Sequence, residues 1–175
     1  PVFSMSKLTG VDNYLGPEMK STGEVMGIDF DLAGALTKAL LASGLMLSSG
    51  GSMLLSIADR DKTEALPLVK RMHEMGYGMY ATEGTAAMIA ALGMPVKMVT
   101  KKLSEGHPNV LDVIRDGSVK GVVNTITGGR LALKDGFAIR RAAVERRIPC
   151  YTSLDTVKVV LDAVSAAGRP YSVES

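Results

Sequence analysis

The chain has 175 residues, 46% of them apolar, with 20 basic and 18 acidic side chains and a formal net charge of +2. Neither sign of charge dominates, which argues against a general nucleic-acid or membrane-surface binder. A single cysteine, Cys150, excludes a disulfide framework and a cysteine-based zinc site and fits a reducing, cytoplasmic setting; no apolar run reaches the ~18 residues of a membrane span. Aromatic residues make up only 5%, with no Trp and 11 Met, so the core is expected to be aliphatic. The sequence starts at Pro1 without an initiator Met and is expected to be cut from something longer.

Residues 1–30 read differently from the rest. Val2-Phe3 has strand character, and the stretch from Leu8 to Gly27 carries turn signals without a sustained period. A structureless loop of that length is unusual inside a compact domain, so this stretch is expected to pack on a neighbour. Leu32, Ala35, Leu36, Ala39 and Leu40 have helical spacing within Phe30 to Leu41, with Asp29 or Asp31 as the cap. Ser43 to Gly51 reads as a linker. The expected division is therefore 1–42, a linker over 43–51, and a domain over 52–175.

From Ser52 strands and helices alternate. Met53 to Ile57 is a buried strand. A helix follows with Ala65, Leu66, Val69, Met72 and Met75 on one face. Pro67 is harmless only near the helix start, which makes Thr63 the expected N-cap, and Gly76 ends the helix. Gly78 to Ala81 is the second strand, Thr85 to Leu92 the second helix, and Val96 to Val99 the third strand. Lys101 to Pro108 is a polar loop, Val110 to Arg115 a short helix, and Gly121 to Asn124 the fourth strand. A Gly-rich loop is expected from Thr125 to Gly136, holding Arg130 and Lys134, then a helix over Phe137 to Arg147. Ile148 to Tyr151 and Leu154 to Ala166 complete the series as a fifth strand and a last helix. This alternation predicts an α/β fold of three layers around a five-stranded, mostly parallel, doubly wound sheet.

Ligands of such sheets sit beyond the carboxyl ends of the strands. The first strand exits toward Asp61 and Lys62, the second at Thr82, Gly84 and Thr85, the third at Lys101, the fourth at Asn124, Thr125 and Thr127. A glycine and two hydroxyls at a strand-to-helix turn, with lysines nearby, suit an oxyanion at a helix N-terminus. Asn124 offers a donor and an acceptor, which suits a base or ribose. A cap made by Thr85 is the plainer reading of that turn. The pattern points to a small phosphorylated ligand. The methionine stripe of Met72, Met75 and Met88 reads as core, with a face for self-association as the alternative. His73 reads as a solvated surface residue, and His107 either braces its loop or meets the phosphate. One of the arginines in Arg140-Arg141 and Arg146-Arg147 is expected to pair with an acid such as Asp155 or Glu145. No His or Cys cluster suggests a metal.

The run from Leu15 through Gly16-Pro17-Glu18-Met19-Lys20-Ser21-Thr22-Gly23-Glu24-Val25-Met26-Gly27 resembles the end of the second ATP-grasp unit of carbamoyl-phosphate synthase large subunits. Leu54-Leu55-Ser56-Ile57 with Asp61-Lys62, Ala81-Thr82-Glu83-Gly84-Thr85-Ala86, Glu105-Gly106-His107-Pro108, Val123-Asn124-Thr125 and Ile139-Arg140-Arg141-Ala142 are similar to that family's C-terminal allosteric domain, of the methylglyoxal-synthase-like fold. The resemblance covers essentially the whole chain. It implies a glutamine-dependent, bacterial-type parent enzyme that makes carbamoyl phosphate for pyrimidine and arginine synthesis. That parent uses ATP with magnesium or manganese, pairs with a glutaminase small subunit, forms homo-oligomers and works in the cytoplasm. This chain holds neither ATP-grasp centre and needs no cofactor of its own. Its implied task is regulation by a nucleotide, UMP as inhibitor or IMP or a phosphoribosyl compound as activator. Lys62, Thr82, Gly84, Thr85 and Lys101 match the phosphate contacts of the family, and Asn124 and Thr125 match contacts to the nucleoside, with Thr127 in place of a threonine that is here Ile126.

The family's ornithine-contacting tyrosine is here Cys150, although Thr152 is kept, so ornithine activation is not expected. Relatives that respond to N-acetylglutamate lack the Thr-x-Gly-Thr pattern and the lysine matching Lys101. Two other classes stay open as alternatives. Methylglyoxal synthase shares the fold but needs a Gly-Gly-Asp loop where this chain has Ser104-Glu105-Gly106-His107. A pure oligomerisation module would bind no nucleotide. The related IMP cyclohydrolase domain lacks the Gly-Pro-Glu-Met segment.

Overall fold

A computed structural model describes residues 1–5, 7, 11–12, 17–101, 106–125 and 130–166, with the backbone alone over 130–134. The strands are β1 (Ser52–Ser56), β2 (Gly78–Thr82), β3 (Lys97–Val99), β4 (Gly121–Asn124) and β5 (Cys150–Tyr151). They form one sheet in the order β3-β2-β1-β4-β5, and each neighbouring pair is parallel. The helices are α1 (Leu32–Ala42), α2 (Lys62–Glu74), α3 (Glu83–Ala91), α4 (Val110–Arg115), α5 (Arg130–Glu145) and α6 (Leu154–Ala166).

The sheet is doubly wound because its central strand is apolar on both faces. Successive side chains of a strand point to opposite sides. Met53 and Leu55 therefore enter one core with Val69, Met72, Ile89, Val157 and Leu161, while Leu54 enters the other with Val113, Ile114, Val122 and Ile139. A continuous apolar run is what a parallel strand covered on both sides requires. The aliphatic core expected from composition is present, and Met75 and Met88 pack against its edge. His73 is exposed.

The chain leaves β1 for β2 and β3 on one side, then returns to β4 and β5 on the other. The carboxyl end of β1 is thus the switch point, where the connections on its two sides diverge and leave a crevice.

Three of the boundaries that moved bear on the site and its surroundings. α2 begins at Lys62 with Asp61 as N-cap rather than at Thr63, because residues Asp59–Asp61 already wind as a 3-10 turn. Pro67 consequently sits inside the helix, where it has no N–H to donate to the Thr63 carbonyl. α3 begins at Glu83, with Thr82 rather than Thr85 at its N-cap. The largest change is α5, whose backbone is helical from Arg130, so Arg130 and Lys134 belong to a helix and not to a loop. Gly136, read as a loop residue, lies inside that helix. A Cβ there would stand 2.5 Å from Arg140 Nη1 and 3.3 Å from Asn124 Oδ1. The glycine is a packing requirement rather than a helix stop.

The N-terminal segment is tied to this body at several points. Val2 bridges Gly23 in antiparallel fashion. Asp31 caps α1 by accepting from Gly34 N (2.7 Å), and Asp29 pairs with Lys38 (3.1 Å). α1 packs along α6. Between α1 and β1, two tyrosine hydroxyls clamp the chain. Tyr77 donates to Ser48 O (2.9 Å) and Tyr151 to Leu45 O (2.7 Å), and Leu47 is buried between them in the larger core. Arg71 joins α2 to α6 by donating to Leu161 O (3.1 Å) and Ser165 Oγ (3.0 Å). Arg141 pairs with Glu145 (2.9 Å), one of the partners expected from sequence. Among the described residues no helix is long and apolar enough to cross a membrane.

Gly136→Ala is expected to destabilise the fold by about 1–3 kcal/mol through overpacking against Arg140, outweighing the ~1 kcal/mol that alanine gains in helix propensity; urea denaturation measures it. Burial also raises the phenol pKa values of Tyr77 and Tyr151 above the ordinary 10.0. A raised folded-state value means the contribution of these groups is complete below about pH 10 and is lost as pH climbs from there toward the folded values. The melting temperature should therefore fall above pH 10, and fall less in a Tyr77→Phe, Tyr151→Phe double variant.

Candidate functional site

The crevice at the switch point holds a hollow of about 170 Å³, lined by Ser56, Ile57, Ala58, Asp59, Lys62, Thr82, Glu83, Gly84, Thr85, Lys101 and Thr125. Six of the eight residues named from the sequence meet there: Lys62, Thr82, Gly84, Thr85, Lys101 and Thr125. Asn124 does not line it, and Thr127 lies outside the described residues.

Two of the hydroxyls have structural work. Thr85 is 1% exposed; its Oγ1 accepts from Ile57 N (3.0 Å) and stands 3.5 Å from Ile57 O. Thr125 Oγ1 accepts from Ala58 N (2.8 Å), while its own amide donates to Ser56 O (3.2 Å). Both therefore brace the chain as it leaves β1. The expectation that Thr85 caps its own helix is replaced by a tertiary bond, because the helix starts three residues earlier than that cap needs.

The other two hydroxyls are different. Thr82 is 6% and Ser56 5% exposed. Thr82, although it stands at the N-cap, makes no side-chain cap bond, and neither hydroxyl has a hydrogen-bond partner among the described residues. Buried hydroxyls ordinarily find partners, so these two face the hollow with their capacity unspent. Ser56 was not singled out in the sequence as a site residue because it closes an apolar run. Its register opposite Asn124 at the end of β1 is what places it here.

Cationic and dipolar groups face the same space. α3 points its N-terminus at the hollow, and the first N–H groups of a helix lack intrahelical partners. Gly84 lets Lys62 approach that turn, since a Cβ on Gly84 would stand 3.1 Å from Lys62 Nζ. Lys62 pairs with Asp59 (2.8 Å), whose side chain is fully in solvent at the rim. This pairing holds the Asp59 carboxyl below the usual carboxylate range. An exposed pair of this kind is weak and readily exchanged. Lys101 donates its amide to Glu83 Oε1 (3.3 Å), and its ammonium has no carboxylate partner among the described residues. Two ammonium groups, two unspent hydroxyls and a helix N-terminus around a space this small match one tetrahedral oxyanion.

His107 is the loop brace of its two readings. Its Nδ1 lies 2.5 Å from Asp112 Oδ2, which also accepts from Asn109 N (2.9 Å) in the capping box that starts α4. These bonds, the Asn109 amide first, lower the Asp112 pKa.

A second cavity of about 410 Å³ lies where the N-terminal segment meets β5, with Phe3, Met5, Leu45, Val144, Ile148 and Tyr151 among its walls. Cys150, Thr152 and Thr156 supply polar groups, and no carboxylate lines it among the described residues.

Comparison with known proteins places the chain in a family. Residues 64–152 match the MGS-like domain family, which spans β2 to β5 and includes Thr82, Gly84, Thr85, Lys101, Asn124 and Thr125. The chain belongs to that family. It is also 50% identical, over 99% of its length, to the carbamoyl phosphate synthase large chain of Thermomicrobium roseum, and it spans 16% of that relative.

The two kinds of hydroxyl make a testable contrast. Thr85→Val and Thr125→Val strand a buried N–H and are expected to cost about 1–3 kcal/mol each in urea denaturation. Thr82→Val breaks no protein bond and should stay within about 0.5 kcal/mol of the parent.

Proposed function

We propose that this chain is the regulatory domain of a carbamoyl-phosphate synthase large subunit, and that the hollow at the end of β1 takes the phosphate of a nucleotide effector, UMP or IMP. The observation that carries the site is the buried, unpartnered Thr82 hydroxyl facing the same 170 Å³ as Lys62, Lys101 and the α3 N-terminus. The observation that carries the parent enzyme is 50% identity over 99% of the chain to a carbamoyl phosphate synthase large chain.

The hollow is smaller than the roughly 300 Å³ at which a pocket encloses a drug-sized ligand. It suits the phosphate end, with the nucleoside extending beyond it. Asn124, Thr125 and Thr127 are the residues assigned to the nucleoside. Asp59 yields Lys62 to the incoming phosphate, exchanging a solvent-exposed pair for a charge-assisted bond in a half-enclosed space.

Under this reading residues 1–42 belong to the preceding ATP-grasp unit, 43–51 link it to the regulatory domain, and 52–175 form that domain. Carbamoyl phosphate synthesis, with ATP, magnesium or manganese and the glutaminase small subunit, belongs to the rest of a cytoplasmic, oligomeric enzyme feeding pyrimidine and arginine synthesis. The effector acts by binding two states of that enzyme with different affinity. Ornithine is not assigned to the second cavity, whose described lining offers no carboxylate for its ammonium groups.

Calorimetry with UMP and IMP on the 175-residue chain tests the site. Lys62→Ala and Thr82→Val are each expected to weaken binding by about 1–3 kcal/mol, roughly 5–150-fold. Unchanged affinity in both variants removes the site assignment. Methylglyoxal formation from dihydroxyacetone phosphate would replace regulation by catalysis.

A further inference from the structure

Among the described residues Arg140 is the largest fully buried side chain, 0% exposed on α5. A guanidinium carries five donors, no acceptor and a permanent charge, so it is tolerated at such a site only when paired. Its carboxylate does not come from the sheet or from the helices around it. It comes from Asp12, 128 residues earlier, in the N-terminal segment. Nε donates to Asp12 Oδ1 (2.6 Å) and Nη2 to Asp12 Oδ2, a two-pronged grip.

The third arm reaches Asn124, next to the hollow. Arg140 Nη1 donates to Asn124 Oδ1 (2.7 Å). Because the guanidinium only donates, the amide oxygen of Asn124 must face it, and the orientation of that amide is set by where Arg140 stands. Asn124 ends β4 directly opposite Ser56, and the next residue, Thr125, holds Ala58 through its hydroxyl. Two walls of the hollow are thus one residue, or one strand pairing, from the Arg140 contact. Gly136 leaves the space in which Arg140 Nη1 and Asn124 Oδ1 meet. The neighbouring Arg141 ties α5 to the same segment by donating to Met5 O (3.0 Å).

We propose that Asp12, Arg140 and Asn124 form a linkage through which the N-terminal segment and the effector site sense each other, with Arg140 as the positioning residue. The proposal rests on the nucleotide reading of the site. If Asp12 withdraws, a buried cation loses its counter-charge and must move, and Asn124 loses the donor that fixes its amide. If a ligand draws on Asn124, the same guanidinium is pulled and the grip on Asp12 changes. Coupling of binding is reciprocal by necessity, so each end has its own readout.

The test uses the 175-residue chain, UMP as probe, calorimetry and hydrogen exchange. Asp12 is not among the residues that line the hollow, and Asp12→Asn keeps the side-chain shape and removes the charge. It is expected to weaken UMP binding at least fivefold. Saturating UMP should slow exchange in peptides covering residues 11–12 of the parent chain and leave them unaltered in the variant. UMP affinity within twofold of the parent, with exchange at residues 11–12 indifferent to UMP, overturns the linkage while leaving the nucleotide site standing. Should neither UMP nor IMP bind either protein, the nucleotide reading fails. The linkage is then decided without ligand by Asn124→Ser, where faster exchange at residues 11–12 supports it and unchanged exchange overturns it. If Asp12→Asn does not fold, Asp12→Glu, which keeps the charge and displaces it by one methylene, carries the same comparison.

Discussion

Two peptide groups at the end of the central strand set the terms for the rest of the molecule. As the chain leaves β1 it passes Ile57 and Ala58, both buried, whose N–H groups have left the ladder. Buried amides must be paired. The partners are the hydroxyl of Thr85, from the helix after β2, and the hydroxyl of Thr125, just beyond β4. The two neighbours of the central strand each send one side chain to the same turn. That arrangement fixes the mouth of the crevice before any ligand arrives.

A fixed mouth explains how so few groups can serve as a site. With Thr85 and Thr125 occupied, Ser56 and Thr82 are left facing inward with unspent hydroxyls, and α3 is held with its N-terminus toward the same point. Lys62 reaches that point over Gly84, where any side chain would crowd its ammonium. The groups are ordered by bonds that do not involve the ligand, so binding need not meet the cost of ordering them. The exposed Asp59 keeps the Lys62 charge accompanied in the meantime.

Much of this was legible in the residues. The apolar run Met53-Leu54-Leu55, the strand-ending Thr82 and Asn124, and the helix stop at Gly76 gave the order of elements and the edge on which to look. What escaped were facts of tertiary contact. The sequence marks Thr85 as a hydroxyl near a helix start, but not that a buried amide 28 residues away needs it. Ser56 looks like the end of a strand until the pairing with Asn124 places it. Gly136 reads as a break because glycine is a poor helix former, whereas its role is clearance for Arg140. The Asp12–Arg140 pair spans 128 residues, a separation that no local pattern records.

The two ends of the sheet carry a consequence of their own. β3 has three residues and β5 has two, and Lys97 on β3 lays its ammonium 5.2 Å from the ring centroid of Tyr80. Unpaired backbone along a long, flat edge would invite another chain to add a strand. Here neither border offers enough length for a stranger to register against, and one of them carries a charge. Among the described residues, the two borders of the sheet are therefore poor templates for an added strand.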